Sequence, residues 1–161
     1  MKKLTVGLLI TLVTLSILSV TAFAAPTKQN AETGPFEGVF TGTVTGDNNS
    51  KTTLTLDLND EDNLVAGTAS LGGGLLVDAG GFCGSAVLPA SSMWAEGGKT
   101  AAHPDELAAE ATIDVGGFEV TVEVTGELSD DGDTLDVEAK IDTPWMCGRD
   151  PVIMGTLTKV S

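Results

Sequence analysis

The chain has 161 residues, with 23 acidic residues against eight basic ones, a net charge of −15, no tyrosine and only 4% aromatic side chains. A field of that sign repels nucleic acid and anionic membrane surfaces. So few rings also exclude the stacking platforms that carbohydrate or nucleobase recognition needs.

Residues 1–24 read as a secretory signal peptide. Lys2 and Lys3 precede a continuous apolar stretch from Leu4 to Val20, and Ala22-Phe23-Ala24 supplies a small-x-small cleavage site. The expected product is exported, to the periplasm or the extracellular space, with no stable membrane insertion after cleavage. Without the two signal lysines, six basic residues face 23 acidic ones, a net charge of −17. Residues 25–34 have no periodicity and read as a flexible leader, and 35–161 as one domain of ordinary size.

From Phe36 the pattern becomes β. Phe36, Gly38, Phe40, Gly42 and Val44 alternate with Glu37, Val39, Thr41, Thr43 and Thr45. Leu54, Leu56 and Leu58 follow with the same period of two. Near the C-terminus, Phe118, Val120, Val122 and Val124 alternate with Glu119, Thr121, Glu123 and Thr125; Leu135, Val137, Ala139 and Ile141 alternate with Thr134, Asp136, Glu138 and Lys140. That period puts each apolar set on one sheet face, the mark of an antiparallel meander. Short turns rich in Asp, Asn and Gly (47–50, 59–63, 116–117 and 130–133) separate the runs.

The expected strands are 36–45, 52–58, 64–71, one within 74–88, 109–115, 118–128, 134–142 and 151–160. Eight one-sided strands can close into a small all-β, up-and-down barrel without exposed edges. Inward glycines at 38 and 42 would permit the coiling that closure needs. Pro104–Glu110 could form one helical turn.

Cys83 and Cys147, the only cysteines, lie behind the export signal and are expected to form one disulfide. In an eight-strand meander, Cys147 in the 143–150 loop falls at the same barrel end as the connection between strands three and four. Bonding then places Cys83 near the start of strand four, at about 82–88, and makes 72–81 a loop. The opposite end collects Asp60–Asp62, Asp130–Asp133 and the long segment 89–108.

Asp130-Asp131-Gly132-Asp133 lacks the alternating ligands and flanking helices of an EF-hand and reads as a hairpin turn. A calcium site shared by Asp130, Asp131 and Asp133 with Asp60 and Asp62 stays open, because both segments fall at one predicted end. His103, the single histidine, reads as a loop residue, short of a zinc site or a catalytic triad. Gly72-Gly73-Gly74 has no following Gly-Lys-Ser/Thr and reads as a tight turn rather than a phosphate loop. No catalytic constellation is visible and no cofactor is implied. Trp94, at the end opposite the disulfide, and Trp145, beside Cys147, favour core or plug packing. With Phe36 and Phe40 they are also the candidate ligand contacts.

Phe36-Glu37-Gly38-Val39-Phe40, the threonine-rich run at 52–56 and Leu64-Val65-Ala66-Gly67-Thr68 together resemble the opening of small secreted calycin barrels of the avidin type. Those begin Gly-x-Trp and enter the third strand with Leu-x-Gly-Thr; here Phe replaces Trp and one residue is added. The resemblance implies a barrel but not biotin binding, whose pocket relies on Trp and Tyr. The expected function is a non-enzymatic barrel that binds a small or apolar ligand, or a protein partner, at one mouth. The alternatives are a structural surface or matrix module and a small outer-membrane barrel.

Overall fold

A computed structural model describes residues 34–100, 102–115 and 118–160. The signal peptide at 1–24, all but the last residue of the leader at 25–34, and the Gly116-Gly117 turn lie outside the described residues. Ten strands follow in chain order: β1 Gly38–Thr45, β2 Lys51–Glu61, β3 Leu64–Leu71, β4 Leu75–Gly80, β5 Gly84–Leu88, β6 Ser91–Lys99, β7 Glu106–Val115, β8 Phe118–Leu128, β9 Thr134–Ile141 and β10 Val152–Val160. A single 3₁₀ turn, Asp47–Asn49, joins β1 to β2.

Eight of these strands close into an antiparallel barrel in the order β1-β10-β9-β8-β7-β6-β3-β2. Closure is made by β1 against β10, from Val39 opposite Val160 to Thr45 opposite Met154. The inward glycine of β1 is needed there. A Cβ on Gly42 would lie 2.4 Å from the Thr156 carbonyl oxygen, so a side chain would force the two strands apart. Gly38 has φ +124°, a backbone conformation that only glycine adopts without strain.

The period-two pattern sorts as expected. Phe40, Val44, Leu56, Leu58, Val65, Leu107, Val122, Leu135, Val137, Ile141, Ile153 and Leu157 are buried inside the barrel. Threonines and acids occupy the outer wall, where Glu96, Glu110 and Glu123 form one cross-strand row that ends at Lys140. Like charges directly opposite cost some stability, so that row belongs on a solvated face. An outer-membrane barrel would turn its apolar set outward to lipid; this one turns it inward, which overturns that alternative.

The structure corrects the fourth strand. The barrel's fourth strand is β6 at 91–99, pairing with β3 from Leu64 opposite Gly98 to Leu71 opposite Ser91. Residues 75–88, expected as a loop followed by strand four at 82–88, form a separate two-stranded hairpin of β4 and β5. Gly80, Gly81 and Gly84, at φ +62°, +54° and +61°, make its sharp tip. Segment 89–108 is therefore no long loop. The helical turn expected at 104–110 is also absent, because from Glu106 the chain is strand β7, its Ala109 and Ala111 facing the interior in register with β8.

Candidate functional site

The two barrel ends differ in construction. At the end where β1 begins, Phe36 and Phe40 are fully buried beside Leu135 and Leu157. Asp60 continues the inward phase of Leu54, Leu56 and Leu58, so its carboxylate is carried inside, with no side-chain exposure. Lys99, from the end of β6, donates from Nζ to its Oδ1 at 2.7 Å. The backbone N–H of Phe36 donates to its Oδ2 at 3.1 Å, and Gly34 lies so close that a Cβ there would overlap the carboxyl group. Glu37 Oε2 accepts the Asp60 N–H at 2.7 Å, and Lys159 Nζ stands 5.3 Å from the centre of the Phe40 ring. This end is plugged.

At the other end the β4–β5 hairpin lies over the mouth as a lid. Leu75, Val77, Ala79 and Leu88 are buried on its inner side, while Val87 is exposed. Its β4 edge is tied down by side chains of the β1–β2 turn and by the β9–β10 loop. Leu76 N–H donates to Ser50 Oγ at 2.9 Å and Asp78 N–H to Asp47 Oδ2 at 2.7 Å. Arg149 Nη2 bridges Asp47 Oδ1 at 2.6 Å and Asp78 Oδ2 at 3.3 Å. The N–H groups of Gly148 and Arg149 both donate to the Ala79 carbonyl. The Cys83–Cys147 disulfide, with Cα atoms 5.2 Å apart, fastens the hairpin tip to the same loop. Among the described residues the opposite edge, β5, pairs only with β4.

Beneath the lid lies an apolar cavity of about 100 Å³ within the barrel. Its twenty lining side chains are all Ala, Val, Leu, Ile or Met. The space exists because Ala69, Ala95, Ala109, Ala111 and Ala139 stand where larger residues would fill it. A vestibule of about 430 Å³ lies between the hairpin and the β9–β10 loop, and Leu88 and Ile141 line both spaces. Thr143 is the only side chain in the vestibule lining with a polar hydroxyl, amide or charge. The lining supplies no acid, base or nucleophile for proton or group transfer; it can exclude water and bind apolar surface.

Several expected site residues sit elsewhere. Phe36 and Phe40 belong to the plug. Trp94 is on the outer wall in mid-β6, opposite Thr68, and 61% exposed, not in a loop at the far end. Trp145 is 92% exposed beside the disulfide, so neither tryptophan packs as core or plug. Phe82, 95% exposed, and Met146 form an apolar rim on the vestibule. The carboxylates do not converge. Asp60 is committed to Lys99, Asp62 is exposed in its turn, and Asp131 accepts from Ser129 Oγ at 2.6 Å and from the Asp133 N–H at 3.1 Å within its own hairpin turn. Among the described residues no three His, Cys, Asp or Glu side chains are placed to hold a metal ion. His103 is exposed in the turn before β7. The residues that reasoning from sequence missed are the interior alanines and Leu88. The Leu107-Ala109-Ala111-Ile113 alternation was the available signal.

Asp78 on the lid and Asp150 in the loop that holds it titrate below the ordinary range. For Asp150 the causes are the Thr143 N–H and hydroxyl, then Lys140; for Asp78 they are the Gly80 N–H, the Ser85 hydroxyl and Arg149. A depressed carboxylate contributes stability that is present above its unfolded value, near 3.9, and lost as pH falls through the lower folded value. The lid should therefore loosen in acid before β1 and β2 do. Hydrogen exchange of the 75–88 amides, corrected for intrinsic rate, should show less protection at pH 3 than at pH 7, with β1 and β2 little changed. Uniform loss across all strands would contradict this.

No family model matches the chain, and no curated protein matches it. Among solved structures it is similar to EF1p2_mFAP2b bound to DFHBI, with a TM-score of 0.53 and 12% identity over 78% of this chain and 94% of that one. It is also similar to a redesigned beta barrel, with a TM-score of 0.49 and 11% identity over 79% of this chain and 93% of that one. At such identity the first likeness speaks to fold alone, and the fold it shares with this chain is a small β-barrel.

Proposed function

We propose that this protein is an exported barrel that binds a small apolar ligand inside its wall, reached only from the disulfide-bearing end. The observation that carries this reading is the cavity: lined only by apolar side chains, sharing Leu88 and Ile141 with a vestibule under the tied hairpin, and backed at the opposite end by the Asp60 plug. Export is supported by the signal-like residues 1–24 and by a disulfide of the kind oxidising compartments preserve. The barrel that is bound to DFHBI gives a precedent for a ligand in this architecture. A protein partner at the same mouth is a second reading, supported by the exposed rings of Phe82 and Trp145.

The test is to fill the cavity. Ala111 is buried in β7 and faces the interior. Ala111→Leu should reduce binding of the linear neutral probe octan-1-ol, read by isothermal titration calorimetry, at least ~10-fold, while stability holds or rises by about 0.5–2 kcal/mol, the usual range for cavity filling. Undiminished octan-1-ol binding in a folded variant would put the site on the rim, not in the barrel.

A further inference from the structure

The charges around the mouth define the ligand more narrowly. No charged side chain lines the cavity or the vestibule. Of the cations at that end, Arg149 is shared between Asp47 and Asp78, and Lys140 Nζ pairs with Asp150 Oδ2 at 3.1 Å. Lys51 is exposed and falls on the outward phase of β2, alternating with Leu54, Leu56 and Leu58. Lys99 and Lys159 belong to the plugged end. Among the described residues, a carboxylate or phosphate brought to the mouth therefore finds no unengaged cation facing it. It meets instead loops that carry Asp47, Asp78, Asp142 and Asp150, in a chain of net charge −15. Moving an anion into such surroundings without a partner is strongly unfavourable.

Size constrains the ligand in the same way. The inner cavity of about 100 Å³ is smaller than the ~150 Å³ cavity that takes up benzene. A slender chain end fits where a ring does not, and the wider vestibule can take the remainder of the chain and a head.

From these facts, and resting on the reading of the barrel as an apolar-ligand binder, we propose that its ligand class is a neutral single-chain lipid. Such an acyl or prenyl alcohol or ester would hold its chain end in the barrel and its uncharged head beside Thr143. Thr143 Oγ1 has its one proton directed to Asp150 Oδ1 at 2.9 Å, with the Arg149 carbonyl at 3.1 Å sharing or replacing that acceptor, which leaves the hydroxyl oxygen free to accept from a hydroxyl head.

The experiment compares three probes of one chain length, dodecan-1-ol, dodecanoate and dodecyltrimethylammonium, by isothermal titration calorimetry at pH 7.5 with the disulfide intact and the ionic probes below their micelle concentrations. Saturable binding of dodecan-1-ol, at least ~10-fold tighter than of either charged probe, is expected from the cost of burying an unpaired ion. Dodecanoate or the ammonium probe binding as tightly as the alcohol, or more so, would overturn the neutral class and leave the apolar-ligand reading standing. If none of the three binds and octan-1-ol does not bind either, the apolar-ligand reading fails, and this inference with it. Octan-1-ol binding with no binding of the three longer chains overturns the chain-lipid class alone.

Discussion

Replacing Cys83 and Cys147 together by serine should lower the unfolding free energy by about 4 kcal/mol, the chain-entropy value for a closed loop of this length. The bond spans 64 positions and encloses β5 to β9 entirely. Most of its effect therefore lies in the unfolded chain, which loses freedom over half the domain, and only a part in the hairpin it fastens. For a domain of this size the loss corresponds to a fall in Tm of roughly 12–20 °C. Two observables separate the global from the local effect. If the bond acts on the whole chain, the slowest-exchanging amides of β1, β9 and β10 become faster along with the rest. If it only latches the lid, amides of 75–88 become faster while the Tm stays within a degree or two. That second outcome would sink the prediction. In the native barrel the double variant should keep its lid in place, because Asp47, Ser50 and the Gly148 and Arg149 N–H groups hold the β4 edge without sulfur. Ligand affinity should then fall less than stability does.

The way the sequence encodes this molecule explains why the frame was legible and the site was not. Strands β2, β8 and β9 pack one face against the core, so large apolar residues recur at most second positions and declare themselves. Strand β6 does the reverse. It turns Met93, Ala95 and Gly97 inward and exposes Trp94. A strand that borders a cavity carries small residues where the pattern looks for large ones. The weak pattern at 91–99 and the space in the barrel thus have one cause. The hairpin was missed for a related reason: it buries Leu75, Val77, Ala79 and Leu88 over the mouth as a lid, and the cysteine argument had no place for strands outside the barrel wall. That argument still put Cys83 and Cys147 at the correct end, since the connection from the third to the fourth barrel strand lies there whichever segment is the fourth. The aromatic residues misled differently. Rings were chosen as ligand contacts because they bury much area, but two close the far end and two stand on the surface. The cavity is lined by small and branched apolar side chains instead.

The plug at that far end is the other place where one substitution should have a large effect. Lys99→Met removes the only cation that, among the described residues, pairs with Asp60, whose side chain has no exposure at all. Breaking a buried ion pair from one side costs about 3–5 kcal/mol, because the remaining charge is left desolvated. Asp60→Asn should cost less. The amide oxygen can still accept the Phe36 N–H, and Lys99, with 13% of its side chain exposed, has some access to water. Combining the two changes should recover most of the loss, since a neutral Asn beside a Met leaves no unpaired charge. Urea unfolding of the wild type, both single variants and the double variant gives the cycle directly. A Lys99→Met cost under about 1 kcal/mol would mean that the pair is solvated in solution and the barrel is not blind there. A double variant no better than Lys99→Met would mean that the packing of the lysine stem, not its charge, closes the end. The first result would remove the reason for assigning the ligand a single route through the disulfide-bearing mouth; the second would keep the end closed and change only what closes it.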